Sequence, residues 1–139
     1  MKLTEGCFEA TGHTSIICDF SPPRSGDTAI VDEAQIDVNF ISVAYNPGRA
    51  VRTNSAMLAA AIQRSGKDVV FTVATRDMNK LALQSQLLGA QMLGLQNVVV
   101  VQGDPFGEND GSRVASVNDY KPTGLISAIA EMNQGRDFK

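Results

Sequence analysis

Four short runs of β-branched and apolar residues recur along the chain: "SIICDF" (15–20), "NFISVAYN" (39–46), "DVVFTVAT" (68–75) and "NVVVVQG" (97–103). Between them lie stretches with helical spacing. "TNSAMLAAAIQRSG" (53–66) predicts a helix that Thr53 or Asn54 caps, with Gly66 placed for a left-handed C′ residue. "DMNKLALQSQLLGAQMLGLQ" (77–96) predicts a second helix with Asp77 as cap, and Leu81, Ser85, Leu88, Met92 and Leu95 on its inward face. "TGLISAIAEMNQG" (123–135) predicts a third, with Leu125, Ile129 and Met132 inward and Gly135 at its end. "AIVDEAQI" (29–36) supports only a turn or two of helix between the first two runs. Parallel strands need crossovers of this kind, so the pattern predicts an α/β fold on a parallel sheet.

A chain of 139 residues suits one domain, and a 43 % apolar fraction is ordinary for a packed core. The formal charge of −3 supplies no electrostatic reason for a nucleic-acid or acidic-membrane partner. Cys7, Cys18 and His13 match no zinc framework, and two cysteines are too few for a disulfide scaffold. Reduced thiols in a cytoplasmic protein are expected, with no metal, and His13 is expected in a surface loop. "MKLTEGCFEA" lacks the apolar core of a signal peptide, and no apolar run reaches the ~20 residues of a membrane span.

Ligands of α/β folds collect at the carboxyl ends of parallel strands. Side chains alternate faces along a strand, so parity sorts the residues near each end. Ser15, Ile17 and Asp19 form one set; Ser42 with Ala44, Thr72 with Ala74, and Val100, Gln102 and Asp104 form the others. These are expected to line the hollow side of the sheet, bringing Asp19 and Asp104 to one mouth. Phe20, Val43, Tyr45, Phe71, Val99 and Val101 are expected to pack against helices. A carboxylate at such a mouth is costly unless hydrated, paired or used. Asp104, between Gly103 and Pro105, also suits an Asx-turn at a strand end, and Pro22-Pro23 suits an extended segment after Asp19.

Together, "CDFSPPR", "FISVAYNPG", "TVATRDMNKLALQSQLLGAQMLGLQNVVVVQGDP" and "VNDYKPTGLISAIAEMNQGRDF" resemble the methylenetetrahydrofolate reductase family from about residue 15 to the last residues. The resemblance implies a TIM barrel with FAD at its C-terminal mouth. It implies hydride transfer from NAD(P)H, through the flavin, to 5,10-methylenetetrahydrofolate, yielding 5-methyltetrahydrofolate for methionine synthesis. Asp19 matches the family's glutamate at the first strand end, one methylene shorter, and is implied as a catalytic acid. Asp104 matches the aspartate set by flavin and folate. Ala44 and Tyr45 match a Thr-Tyr pair that contacts flavin, Thr72 a flavin-contacting histidine, and Gln102 an arginine or other polar residue. Gly103 is expected to let backbone approach the flavin. A homo-oligomer is expected of the full-length protein.

A complete (β/α)₈ barrel takes ~250 residues, and this chain supplies about four of eight β/α units. Residues 1–139 are therefore expected to be one partial domain, the N-terminal part of such a barrel. The alternative is a non-catalytic fragment that needs a C-terminal half or a partner chain. A third reading, an unrelated barrel lyase using Asp19 and Asp104 as an acid–base pair, is weaker as an aldolase because no lysine stands at a strand end.

Overall fold

The computed structural model describes residues 1–8, 14–108 and 114–136, and the side chains of all of these except 6–8. His13, the Cys7 side chain, and residues 109–113 of the polar segment after the fourth strand lie outside the described residues. Cys18 is a free, half-buried thiol. The elements in chain order are α1 (Leu3–Phe8), β1 (Ile17–Phe20), α2 (Ile30–Glu33), β2 (Phe40–Val43), α3 (Ser55–Arg64), β3 (Val69–Ala74), α4 (Lys80–Met92), β4 (Val98–Val101) and α5 (Pro122–Met132). The strands form one sheet in the order β1-β2-β3-β4. β1 pairs with β2, and β2 with β3, in parallel. β4 continues the pattern: Phe71 N donates to Asn97 O (3.1 Å) and Thr75 N to Val101 O (3.0 Å), the constant offset of parallel neighbours. A parallel sheet with strands in sequence order and helices between them is the order of a (β/α) barrel, not of a doubly wound sheet.

Two compact units share the chain: Met1–Thr72 with Ala90–Val99, and Val73–Gly89 with Val100–Lys139. In the first, the core joins Ile41 and Val43 of β2 and Val69 and Phe71 of β3 to Ala56, Leu58, Ala59 and Ile62 of α3, and Phe40 and Val70 are buried on the other side of the sheet. α3 lies on β2 and touches α2. Asn54 caps α3, its side chain accepting from Ala56 N (3.0 Å) and Met57 N (3.1 Å), and Gly66 follows the helix at φ +97. α1 has no strong signal in the sequence. It is held by one distant and one local bond, with Leu3 N donating to Asn97 Oδ1 (2.7 Å) and Lys2 N to Glu5 Oε2 (3.3 Å). The Lys2 side chain, hydrogen-bonded to Glu5, keeps that carboxyl below its ordinary range.

In the second unit Val73, Ala74, Leu83, Leu125 and Ala128 are buried. α5 buries Leu125 and leaves Ile129 and Met132 half-buried, as their spacing predicts, and Gly135 follows it at φ +74. α4 differs from expectation. Leu81 and Met92 are 72 % and 87 % exposed, while Leu83, Gln84 and Ala90 are buried. The helix carries two stripes of apolar content at the same period, and a polar residue decides between them: buried Gln84 donates to Tyr120 Oη (3.4 Å). Nor does Asp77 cap this helix. Asn79 Oδ1 accepts from Ala82 N (2.9 Å), and Asp119 accepts from Lys80 N (2.9 Å).

Candidate active site

The first unit supplies one face of parallel strands. Asp19 is in register with Ser42, and Ser42 with Val70. Parallel partners share a face, so Asp19, Ser42 and Thr72 lie on the same side of the sheet, as parity predicts. That side is open only in part: Ile17 is 46 % exposed, Asp19 is exposed, and Ser42 and Thr72 are half-buried, while Phe40 and Val70 on the same side are buried. The opposite side, with Ile41, Val43, Val69 and Phe71, is buried. Ala44 and Tyr45 follow β2 directly and are half-buried. Ala44 N donates to Phe20 O (3.0 Å), which extends the pairing one step past the strand.

The loops after β1 and β2 hold each other. Asn46 takes a left-handed conformation (φ 39), and its Oδ1 accepts from Arg52 N (2.9 Å). Arg52 Nη1 donates to Pro22 O (3.1 Å), and Thr53 N donates to Pro23 O (2.9 Å). Prolines cannot donate, so their carbonyls are what a neighbouring loop can grip. The Pro-Pro segment three residues beyond Asp19 is thereby fixed by groups thirty residues downstream. Arg52 and Thr53 were not legible as site residues, because nothing local in the sequence marks a distant carbonyl as their partner.

For β4 the predicted parity is overturned. The bond from Phe71 N to Asn97 O pairs Val98 with Phe71 and Val99 with Thr72 in the first unit. Thr75 N to Val101 O likewise pairs Val101 with Ala74 in the second. Val99 and Val101, and not Val100 and Gln102, share the face of Thr72 and Ala74, and they are 41 % and 36 % exposed. Four valines in a row give no internal parity cue, and counting backwards from Asp104 crosses Gly103. That glycine sits at φ +91, where strand alternation is lost. The direction of Asp104 is thus set by the loop and not by β4.

In the second unit the loop is organised by Arg76, a residue with 5 % of its surface exposed. Its Nε donates to Asp77 Oδ1 (2.5 Å), its Nη2 to Asp77 Oδ2 (2.8 Å) and its Nη1 to Asp104 O (2.6 Å). Its guanidinium carbon lies 4.0 Å from the centre of the Phe106 ring. Its backbone donates to Gln102 O (3.0 Å) and accepts from Val117 N (2.7 Å). Gln102 and Asp104 are exposed and Gly103 is half-buried. A Cβ on Gly103 would stand 3.2 Å from Arg76 Cβ, so the missing side chain makes room for the arginine. A cavity of about 330 Å³ is lined by Arg76, Gln102, Gly103, Pro105, Ser116 and Asn118. Among the described residues, no cluster of three His, Cys, Asp or Glu could hold a metal, and no helix is long and apolar enough to cross a membrane.

An open sheet face of short polar and apolar side chains with one carboxylate suits a flat, largely apolar ring system, so the residues of the first unit fit a flavin. The model of one protein family, methylenetetrahydrofolate reductase, matches residues 6–139. No curated protein and no solved structure matches the chain.

Proposed function

The chain belongs to the methylenetetrahydrofolate reductase family, a family of flavin-dependent oxidoreductases, and from that premise we propose that it serves FAD-dependent reduction of 5,10-methylenetetrahydrofolate to 5-methyltetrahydrofolate with NAD(P)H. Family membership carries this reading, and the open face around Asp19 supports it. FAD, when bound, supplies the two-electron relay between nicotinamide and folate. Ala44, Tyr45, Thr72, Gln102, Gly103 and Asp104 are the residues we assign to holding it, in a cytoplasmic, homo-oligomeric full-length enzyme.

The protein's own task is acid–base and electrostatic. Opening the folate's five-membered ring produces an iminium cation and a departing ring nitrogen that needs a proton. Asp19, exposed on the open face, is the proposed donor. Asp104 is the proposed anion that favours the cation, since opposite charges interact more strongly where water is excluded. An aspartate reaches one methylene less than a glutamate, so the transfer to the nitrogen requires a bridging water or a backbone shift.

Purification and two half-reactions test the reading. The protein should carry flavin absorbance. Asp19→Asn should lower folate reduction by about 10²–10⁴-fold, the usual worth of a general acid, with a far smaller loss in nicotinamide oxidation by a surrogate acceptor. Equal loss of both half-reactions overturns the role of Asp19. A second reading, a non-catalytic chain completed by a partner, is favoured by the exposed Ile17 and Val99 on the open face. A colourless protein that gains flavin only with a second chain would decide for it.

A further inference from the structure

We infer that Arg76 is a positioning residue: it clamps the segment that carries Asp104, and so sets where that carboxylate stands. The inference rests on the role proposed for Asp104. The residues from Gln102 to Phe106 form no helix or strand, and Gln102, Asp104 and Pro105 are exposed, so this segment has little core of its own. What orders such a segment is its set of hydrogen bonds and ring contacts. Arg76 supplies one at each level: backbone to Gln102 O, guanidinium to Asp104 O, and guanidinium face to the Phe106 ring. Gly103, lying between, has no side chain to push the arginine away.

The guanidinium is not available for a soluble anion. Asp77 grips it through both carboxylate oxygens, a fork-to-fork contact that neutralises its charge and fixes its plane. With that plane fixed, Nη1 is aimed at the Asp104 carbonyl and the flat face at Phe106. Lysine keeps the charge and cannot reproduce this. It offers a point charge with three rotatable donors and no plane to stack. The Arg76-Asp77 pair belongs to the "TRDMN" turn after β3, so the turn after one strand determines the loop after the next.

The experiment uses the whole chain with Arg76→Lys and, separately, Asp77→Asn. Hydrogen exchange is read at the amides of Gly103, Asp104, Phe106 and Gly107, with the β2 amides as internal control. Arg76→Lys should speed exchange in the loop by about tenfold or more, the equivalent of one lost charge-assisted hydrogen bond. Exchange in β2 should stay within about twofold of the parent, which shows that the fold survives. The folate half-reaction of the flavin-loaded variant should fall about 10–100-fold in kcat with little change in the KM for folate, since the carboxylate is misplaced and not removed. Asp77→Asn keeps one acceptor for the arginine and should fall between parent and Arg76→Lys. Unchanged loop exchange overturns the inference, and so does a loosened loop with parental folate turnover. A parent chain with no folate half-reaction overturns the functional reading instead, and the exchange measurement alone then upholds or overturns the clamp.

Discussion

Gly103 and Thr75 are neighbours of the Arg76 clamp with opposite consequences for substitution. Gly103 combines φ +91 with a Cβ position 3.2 Å from Arg76 Cβ. Gly103→Ala should therefore cost about 1–2 kcal/mol from the backbone alone. Denaturant unfolding reads this as a lower midpoint at constant m-value. Thr75 is fully buried, and its hydroxyl has no hydrogen-bond partner among the described residues. Thr75→Val removes an unsatisfied buried group at nearly constant volume, and should raise stability by about 1 kcal/mol in the same titration. A loss would reveal an acceptor for that hydroxyl. Asp19, Ser42 and Thr72 were legible from sequence because strand alternation and register obey local rules. Arg76 was not, although "TRD" stood in plain view. A guanidinium's partners depend on which carbonyl a loop brings to it, and no periodicity encodes that.

At the scale of elements, α4 offers the sharpest test, because two stripes compete for the same core. Leu83→Ala should cost about 2–5 kcal/mol, as for a fully buried leucine. Leu81→Ala, at a 72 % exposed position, should stay within about 0.5 kcal/mol. The reverse ranking would restore the stripe that periodicity alone suggests. Asn54→Ala should cost about 1 kcal/mol by removing the cap of α3. Caps, C′ glycines and strand existence were readable because each has a short-range chemical cause. The inward stripe of α4 was not, since hydrophobic spacing counts apolar side chains and here the buried stripe includes Gln84, satisfied by Tyr120. The face of β4 was not readable either. A run of identical valines leaves register to the hydrogen bond from Phe71, which is a property of the pair and not of the strand.

For the whole molecule, the sheet order leaves β1 and β4 with one neighbour each among the described strands. Their outward backbone groups form templates for another strand, and their side chains add apolar area. Ile17 is 46 % exposed on β1, and Val99 and Val101 are 41 % and 36 % exposed on β4. A valine-rich edge without a charge or proline, as β4 is, is the arrangement that pairs across chains, whereas β1 carries the charged Asp19. The polypeptide of residues 1–139 should therefore self-associate, its average mass in sedimentation rising with concentration. Val99→Lys and Ile17→Lys place charges on those edges and should shift the chain toward monomer. Exposed apolar residues on α4 could drive association by another surface, so Met92→Lys, at an 87 % exposed helical position, is the control. Association lost with Val99→Lys and kept with Met92→Lys assigns the contact to the sheet. The opposite outcome assigns it to the helix, and a monomer at every concentration shows that these edges are protected in solution. If the sheet is responsible, a partner that pairs with β1 or β4 should suppress association as the lysines do, and flavin retention should rise with it.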